Sequence, residues 1–277
     1  GADLLPTGRN FYGIDPRNLP TPAAWEIGKT LGDQVIERYI SEEGRYPESV
    51  GIVLWSGANM RSHGQCVAEF LYLLGVRPQW QHGSQRVIGL EVIPLMELKR
   101  PRIDVTARIS GLFRDTMPSV MNLLDKAVLL VGELEEDEEQ NYVRKHLLAD
   151  SLELEAEGLT KEDAWRQAAF RIFGDEQGVY GAGVAALLEA KNWESIDDIA
   201  EGKFLPQQFR KRMGSLDVTI KNEDNHETNM LSSDDYNAYH GGMIAAVRSI
   251  KGSAPRSYCG DSTDKSKVVM HSVQEEA

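Results

Sequence analysis

The stretch SVGIVLWSGANMRSHGQCVAEFLYLLGV, residues 49–76, decides how the chain is read. Val50 to Trp55 is short, apolar and β-branched, the pattern of a strand buried on both faces. Ser56 to Gly64 follows as a small, polar, glycine-containing loop. The next run, CVAEFLYLLG, has helical length and stops at Gly75, and Val76 to Trp80 reads as another strand. A strand, a loop, a helix and a return strand are the unit of a parallel sheet. In such sheets ligands bind at the carboxyl ends of the strands, which is where this loop falls.

Working outward, the same alternation continues. Thr21 with Pro22 after it has the form of an N-cap and first helical position, and the helix runs to about Glu43 with Gly44 as its stop. Past the turn QHGSQ, Arg86 to Ile93 and Ile103 to Ile109 read as strands. Pro94 to Leu98 reads as one helical turn and Met117 to Leu134 as a long helix. The prediction is an α/β fold with a Rossmann-like or flavodoxin-like, mainly parallel sheet over residues 1–135, followed by a mostly helical region, 136–277, packed on the same core or standing beyond it. The acidic run EEDEEQ, 135–140, marks the junction. Tyr142 to Glu157 and Thr160 to Phe173 are predicted helices, the second capped by Thr160 with Asp163 in a capping-box position. GVYGAG, 178–183, is a predicted turn, Val184 to Lys191 and Ser195 to Ala200 are short helices, and His240 to Lys251 is a helix opening on Gly-Gly. The polar stretch 203–233 shows no clear element. The tail after Asp261 reads as disordered or packed on a missing part.

The 277 residues carry a net charge of −13, which argues against a nucleic-acid partner, since such proteins need a basic footprint. No apolar run reaches the roughly 18 residues of a membrane span. The two cysteines, Cys66 and Cys259, form no CxxC pair and point to a reducing compartment. A cytoplasmic protein is expected. GxxxxGK[ST] and GxGxxG are absent, so neither a P-loop nor a dinucleotide fingerprint is written here. The start lacks an initiator Met and a signal peptide, and reads as the cut end of a longer chain.

Four stretches carry residues able to do chemistry. The loop Ser56 to Gly64 offers Arg61 and His63 to a ligand. SGLFRD, 110–115, pairs Arg114, able to grip a carboxylate, with Asp115, able to take a proton or hold a cation. NYVRKH, 141–146, sets Arg144, Lys145 and His146 on one helix start. SSDDYNAYHGGM, 232–243, supplies Asp235 and His240, the latter beside two glycines that leave room at the imidazole. For each there is a plainer structural reading, as a solvated loop, a cap or a salt-bridged helix. No HExxH or three-His spacing writes a metal site outright.

Taken in order, LPTGRNFYGIDPRNLPTPAAW, GIVLW, YLLGVRP, GLEVIPLMELKRPRIDVTARISGLFRD, NYVRKH, RIFGDEQGVYGAG and DDYNAYHGGMIAAVR resemble the cobaltochelatase large subunit and its paralogue, the magnesium chelatase H subunit. The resemblance covers about residues 1–200 and 216–262. It implies an internal segment of a longer subunit that binds a tetrapyrrole and a divalent metal and carries the insertion site of an ATP-dependent metal chelatase. It also implies AAA+ partner subunits that hydrolyse the ATP, consistent with the missing P-loop. The cobalt branch acts on hydrogenobyrinic acid a,c-diamide in cobalamin biosynthesis, and HGGM resembles that branch, so cobalt(II) is expected as the metal, with magnesium as the alternative. Asp115, His146 and Asp235 are then candidates for proton acceptance. Arg61, Arg114, Arg144 and Lys145 are candidates for binding substrate, and His63 and His240 for holding the metal.

Relatives in both branches usually carry an acid where Ala58 stands and a Glu where Gln65 stands. Two readings follow. Either the chain is a divergent tetrapyrrole- or metal-binding relative without insertion activity, or with another metal, or His63 stands in for a lost ligand.

Overall fold

The computed structural model describes residues 14–174, 206–224 and 240–273. The first long element is α1 (Pro22–Glu43). Thr21 Oγ1 accepts from Ala24 N, Pro22 occupies the first turn, and Gly44 closes the helix with φ 71°. Strand β1 (Ser49–Leu54) follows, buried at all six positions. A strand with neighbours on both sides and helices on both faces has no side to leave polar, hence its unbroken apolar run. Next come α2 (Ser56–Arg61) and α3 (Gln65–Leu74). Strands β2 (Val76–Trp80) and β3 (Val87–Val92) pair antiparallel as a separate two-stranded sheet. Then follow α4 (Leu95–Leu98), β4 (Asp104–Ile109), α5 (Gly111–Thr116), α6 (Pro118–Gly132), α7 (Tyr142–Ala156), α8 (Lys161–Ala168) and β5 (Ile172–Phe173). The remaining described elements are α9 (Pro206–Ser215), β6 (Val218–Glu223), α10 (Gly242–Lys251), β7 (Arg256–Asp261) and β8 (Val269–Ser272).

The main sheet has the order β5-β4-β1-β6-β7-β8. All its pairs are parallel except β7 with β8. This is the mainly parallel α/β sheet that the strand–helix alternation predicts. From β1 the chain winds outward to β4 and β5, then returns to the other side of β1 with β6 and β7. Strand order therefore reverses between β1 and β6.

Side chains alternate between the two faces. Val50, Ile52, Leu54, Val105, Ala107, Ile109, Val218 and Ile220 belong to the large core that includes α1, α3 and α6. Val53 belongs to a second core with Phe209, Met213 and Leu216 around α9, and Met243 and Val247 of α10. Helices α1 and α3 lie so close that a Cβ on Gly28 would overlap Ala68, and glycine is what allows the approach.

Several elements differ from the sequence pattern. Residues beyond 136 supply four of the six described main-sheet strands as well as helices, so the sheet does not end at 135. The helix expected to reach Phe173 stops at Ala168, because the buried Arg171 guanidinium turns inward to Asp104 and Ile172–Phe173 pairs with Ala107–Arg108. The tail past Asp261 is not loose through residue 273: β8 pairs with β7, and Gln34 Nε2 donates to Val268 O at 2.5 Å. Ser56–Arg61 and Gly111–Thr116, read as loops, are each a helical turn and a half. The predicted turn at 178–183 and short helices within 184–200 lie outside the described residues.

Candidate functional site

The crevice at the carboxyl ends of β1 and β6 is the topological switch point, the place where open α/β sheets take their ligands. Several polar side chains meet there. The Lys221 ammonium, from β6, lies 5.4 Å from the centre of the Trp55 ring at the end of β1, within cation–π range. Arg61 closes α2 and reaches across to Asp224, just past β6, with Nη2 2.9 Å from Oδ1 and Nε 3.2 Å from Oδ2. His63 follows Arg61 in the left-handed region at φ 59°, exposed, its carbonyl accepting from Thr21 N.

The end of β4 is tied to the same edge. Ser110 caps α5 by accepting from Phe113 N, and the buried Phe113 anchors that helix on the core. Thr116 donates to Leu112 O at 2.6 Å, so Ser56 Oγ is the donor in its 2.8 Å bond to Thr116 Oγ1, which joins α5 to α2. Arg114 Nε donates to Asp115 Oδ1 at 3.0 Å, so the two candidates from SGLFRD neutralise one another while facing outward in part.

Behind the crevice, α3 turns a polar face to the ends of β6 and β7. Gln65 Oε1 accepts from Ser262 Oγ at 2.7 Å. Asn222 Nδ2 donates to Glu69 Oε2 at 2.5 Å and lies 3.5 Å from Cys66 Sγ. Burial pushes the Glu69 carboxyl up to about 8, with Asn222 opposing the rise, and pushes the Cys66 thiol up to about 12. Glu69 is thus an un-ionised acid at neutral pH. Its Oε1 and the Asn222 Oδ1 are buried without a hydrogen-bond partner.

His240 lies immediately before α10, fully buried, with Nε2 3.1 Å from Thr219 Oγ1 on β6. Burial pushes its pKa down to about 3, and the Lys221 charge adds to that, so the ring is a neutral imidazole.

NYVRKH sits elsewhere. Asn141 caps α7 by accepting from Arg144 N, Arg144 Nη1 donates to Gly132 O, and Lys145 Nζ pairs with Glu48 Oε2 at 2.7 Å. His146 Nδ1 is 2.7 Å from Asp104 Oδ2 at the start of β4. This is the amino edge of the sheet, opposite the crevice. There Asp104, fully buried, also takes Arg171 Nε at 2.7 Å and Arg212 Nη1 at 3.2 Å, and Arg212 continues to Asp150. Burial by itself would raise the Asp104 pKa; Arg171, then His146 and Arg212, outweigh it and hold the carboxyl far below its usual range. Here Arg144 is engaged by a cap and a carbonyl and His146 by the buried Asp104, while Lys145 pairs with Glu48, and both of those side chains are more than a third exposed. Spacing along the sequence shows that they share a helix start but not which edge that helix meets.

Arg61, His63, Arg114 and Asp115 follow the carboxyl ends of β1 and β4, whereas His240 reaches Thr219, the second residue of β6. Asp235 lies outside the described residues. Among the described residues, no group of three or more His, Cys, Asp or Glu side chains is placed to hold a metal ion. Asp224, Lys221 and the Glu69–Asn222 pair were not singled out from the sequence. The usable signal was the polar alternation in VTIKNE, 218–223, which marks a strand with a polar lining at its carboxyl end.

The fold is an α/β domain with a mainly parallel sheet and a polar crevice at its switch point. The family described as CobN/Magnesium Chelatase matches residues 1–277, and the chain belongs to it. It is 42% identical to the aerobic cobaltochelatase subunit CobN of Sinorhizobium sp over 99% of this chain and 23% of that protein. It is 34% identical to the chloroplastic magnesium-chelatase subunit ChlH of Oryza sativa subsp. indica over 94% of this chain and 20% of that one. Among solved structures, the catalytic subunit of cobaltochelatase from Mycobacterium tuberculosis matches with a TM-score of 0.86 and 42% identity, over 97% of this chain and 24% of that one. The chain thus spans less than a quarter of the length of these relatives. No described helix is long and apolar enough to cross a membrane.

Proposed function

We propose that this chain is the segment of a cobaltochelatase large subunit at which the tetrapyrrole and cobalt(II) meet, with hydrogenobyrinic acid a,c-diamide as the macrocycle. The observation that carries the reading is the switch-point crevice, where Arg61, Asp224 and Lys221 meet, with the buried His240 imidazole held at Thr219 further back along β6, in a chain of the chelatase family. The closer identity to CobN than to ChlH favours cobalt over magnesium.

Insertion removes two pyrrole protons from the ring while a hydrated cation sheds water. A neutral imidazole suits cobalt(II), and His240 is kept in that state by burial. Asp115, and Asp235 in the neighbouring stretch, are the proton acceptors. Arg61 and Arg114 bind the peripheral carboxylates, each exchanging its intramolecular acid, Asp224 or Asp115, for one on the substrate. Their present pairing keeps the cations in position without ligand. ATP is hydrolysed by AAA+ partner subunits.

A second reading, a tetrapyrrole or metal carrier without turnover, is favoured by Ala58 and Gln65. Gln65 is spent on Ser262, and the nearby Glu69 is buried as a neutral acid, so neither supplies a carboxylate to the crevice. Titration of this chain with hydrogenobyrinic acid a,c-diamide and with a porphyrin, with and without cobalt(II), tests the main reading by absorbance. Selective, tight binding of the corrinoid precursor is expected. Equal binding of both rings, or none by a folded chain, would defeat the assignment. Binding followed by no insertion on adding ATPase partners to the full-length subunit would leave the carrier reading in its place.

A further inference from the structure

We propose that Lys221 is a further ligand-binding residue of the crevice: its ammonium, held at the carboxyl end of β1 by the Trp55 indole, takes a peripheral carboxylate of the ligand, and Trp55 is its positioning residue. That the ligand is a carboxylated tetrapyrrole rests on the function proposed above; the placement of the pair does not.

The strands set the direction of the two side chains, because side chains alternate along a strand. On β6, Ile220 belongs to the large core and Asn222 meets Glu69 of α3. Thr219 and Lys221 therefore face the other way, as the contact of Thr219 with His240, ahead of α10, bears out. On β1, Ile52 and Leu54 go to the large core, and Val53 and then Trp55 to the core shared with α9 and α10. Val50 to Ile52 pair in parallel with Val218 to Ile220. Trp55 and Lys221 thus leave neighbouring strands on the same face, beside the line where strand order reverses. The ammonium lies 5.4 Å from the centre of the indole ring, and both residues are partly exposed. An aromatic face restrains a lysine without cancelling its charge, since the attraction is to the ring quadrupole. A positioned ammonium is a point charge with donors to offer a carboxylate. The need for it is plain in a chain of net charge −13, which draws an anionic ligand only where positive charge is concentrated. Arg61 supplies one cation from the end of α2, and Lys221 supplies a second from β6. The same face carries acids further along, Glu223 and its register partner Asp261 on β7, and a ligand carboxylate competes with these for the ammonium.

The experiment is a titration of the chain with a porphyrin dicarboxylate, with the dimethyl ester of that porphyrin and with hydrogenobyrinic acid a,c-diamide. The proteins are the wild type, Lys221→Met, Lys221→Arg, Trp55→Phe and Trp55→Leu, with urea midpoints measured alongside. Lys221→Met is expected to bind both free acids about 10-fold or more weakly and the ester as the wild type does, the loss of one charged hydrogen-bonding group. Lys221→Arg and Trp55→Phe, which keep a cation and an aromatic face, are expected near wild type. Trp55→Leu is expected to lose about 2–5-fold for the acids alone. A preference for acid over ester that survives in a folded Lys221→Met overturns the proposal. So does an equal loss for acid and ester, which is what a merely structural pair gives. Wild-type acid affinity in Trp55→Leu overturns the positioning role of the indole. The macrocycle is scored separately. A wild type that binds porphyrin and corrinoid precursor alike, with the acid preference lost in Lys221→Met, removes the hydrogenobyrinic acid assignment and leaves Lys221 in place. A wild type that binds no carboxylated ring removes both.

Discussion

Arg61 and Asp224 lie 2.9 Å apart across the line where strand order reverses, so one ion pair ties the helix after β1 to the end of β6. Arg61 is about half exposed and Asp224 is largely covered. An exposed pair of this kind contributes about 0–1 kcal/mol to stability. Its value lies in holding a guanidinium at the mouth of the crevice. Arg61→Ala is expected to leave the urea midpoint nearly unchanged and to weaken binding of a carboxylate-rimmed tetrapyrrole by about 10-fold or more, the loss of one charged hydrogen-bonding group. Asp224→Asn, which frees Arg61 from its competitor, is expected to tighten the same binding. Equal affinities in all three proteins would remove Arg61 from the substrate contacts.

Asp104 does the opposite kind of work at the amino edge. It joins β4 to His146 on α7, to Arg171 before β5 and to Arg212 on α9. Asp104→Asn leaves two buried guanidinium groups short of a counter-charge, and a loss of about 3–5 kcal/mol is expected in urea melts at pH 7. The pH dependence follows from a carboxyl whose folded pKa lies below its ordinary value of 3.8. The stabilisation is complete above 3.8 and is lost as pH falls below it, because the unfolded chain then takes up a proton that the folded one refuses. Wild-type stability is expected to drop steeply below about pH 4 and that of Asp104→Asn to drop less. Parallel acid curves would show that the network carries no linked proton.

How far the sequence reveals this arrangement depends on burial. Residues 49–76 are legible because β1 and α3 lie within the core and Gly75 stops the helix with φ 79°. Strand β6 is hidden by its polar residues: Thr219 and Asn222 are buried because they hydrogen-bond to His240 and Glu69, a reason that only partners distant in sequence supply. Strand β5 has two residues, too few for any period. The site was legible in part. Ser110 to Asp115 and Ser56 to Gly64 fall at the carboxyl edge because they follow strands of a parallel sheet. His146 and Lys145 follow a helix–helix turn, which gives no such rule, and they belong to the amino edge.

Glu69 carries a second, inverse pH signature. Its folded pKa of about 8 stands above the ordinary 4.5. Below 4.5 the carboxyl is protonated in both states and has no effect. Between 4.5 and about 8 the unfolded chain ionises while the folded one does not, so stability falls as pH rises; above about 8 both are ionised and the fall ends. Glu69→Gln keeps an acceptor for Asn222 and removes the proton. A gain on the order of 3 kcal/mol at pH 7 and loss of the slope between pH 5 and 8 are expected. A variant no more stable than the wild type at pH 7 would mean that Glu69 ionises in the folded protein, and it would then be a carboxylate available to the neighbouring crevice.

His63 allows stability and binding to be separated at one position. It holds φ 59° without being glycine, which carries a conformational cost, and its side chain is exposed, so the cost is not offset by packing. His63→Gly is expected to stabilise the fold by about 0.5–1 kcal/mol, since glycine adopts this conformation freely. If the imidazole replaces a ligand lost at Ala58 or Gln65, the same variant binds cobalt(II) more weakly while melting later, as read by titration and by thermal unfolding without metal. A variant that gains stability and keeps its cobalt(II) affinity assigns His63 to the turn alone and returns the metal to His240. A variant that loses stability would show that the imidazole makes a contact outweighing the backbone cost.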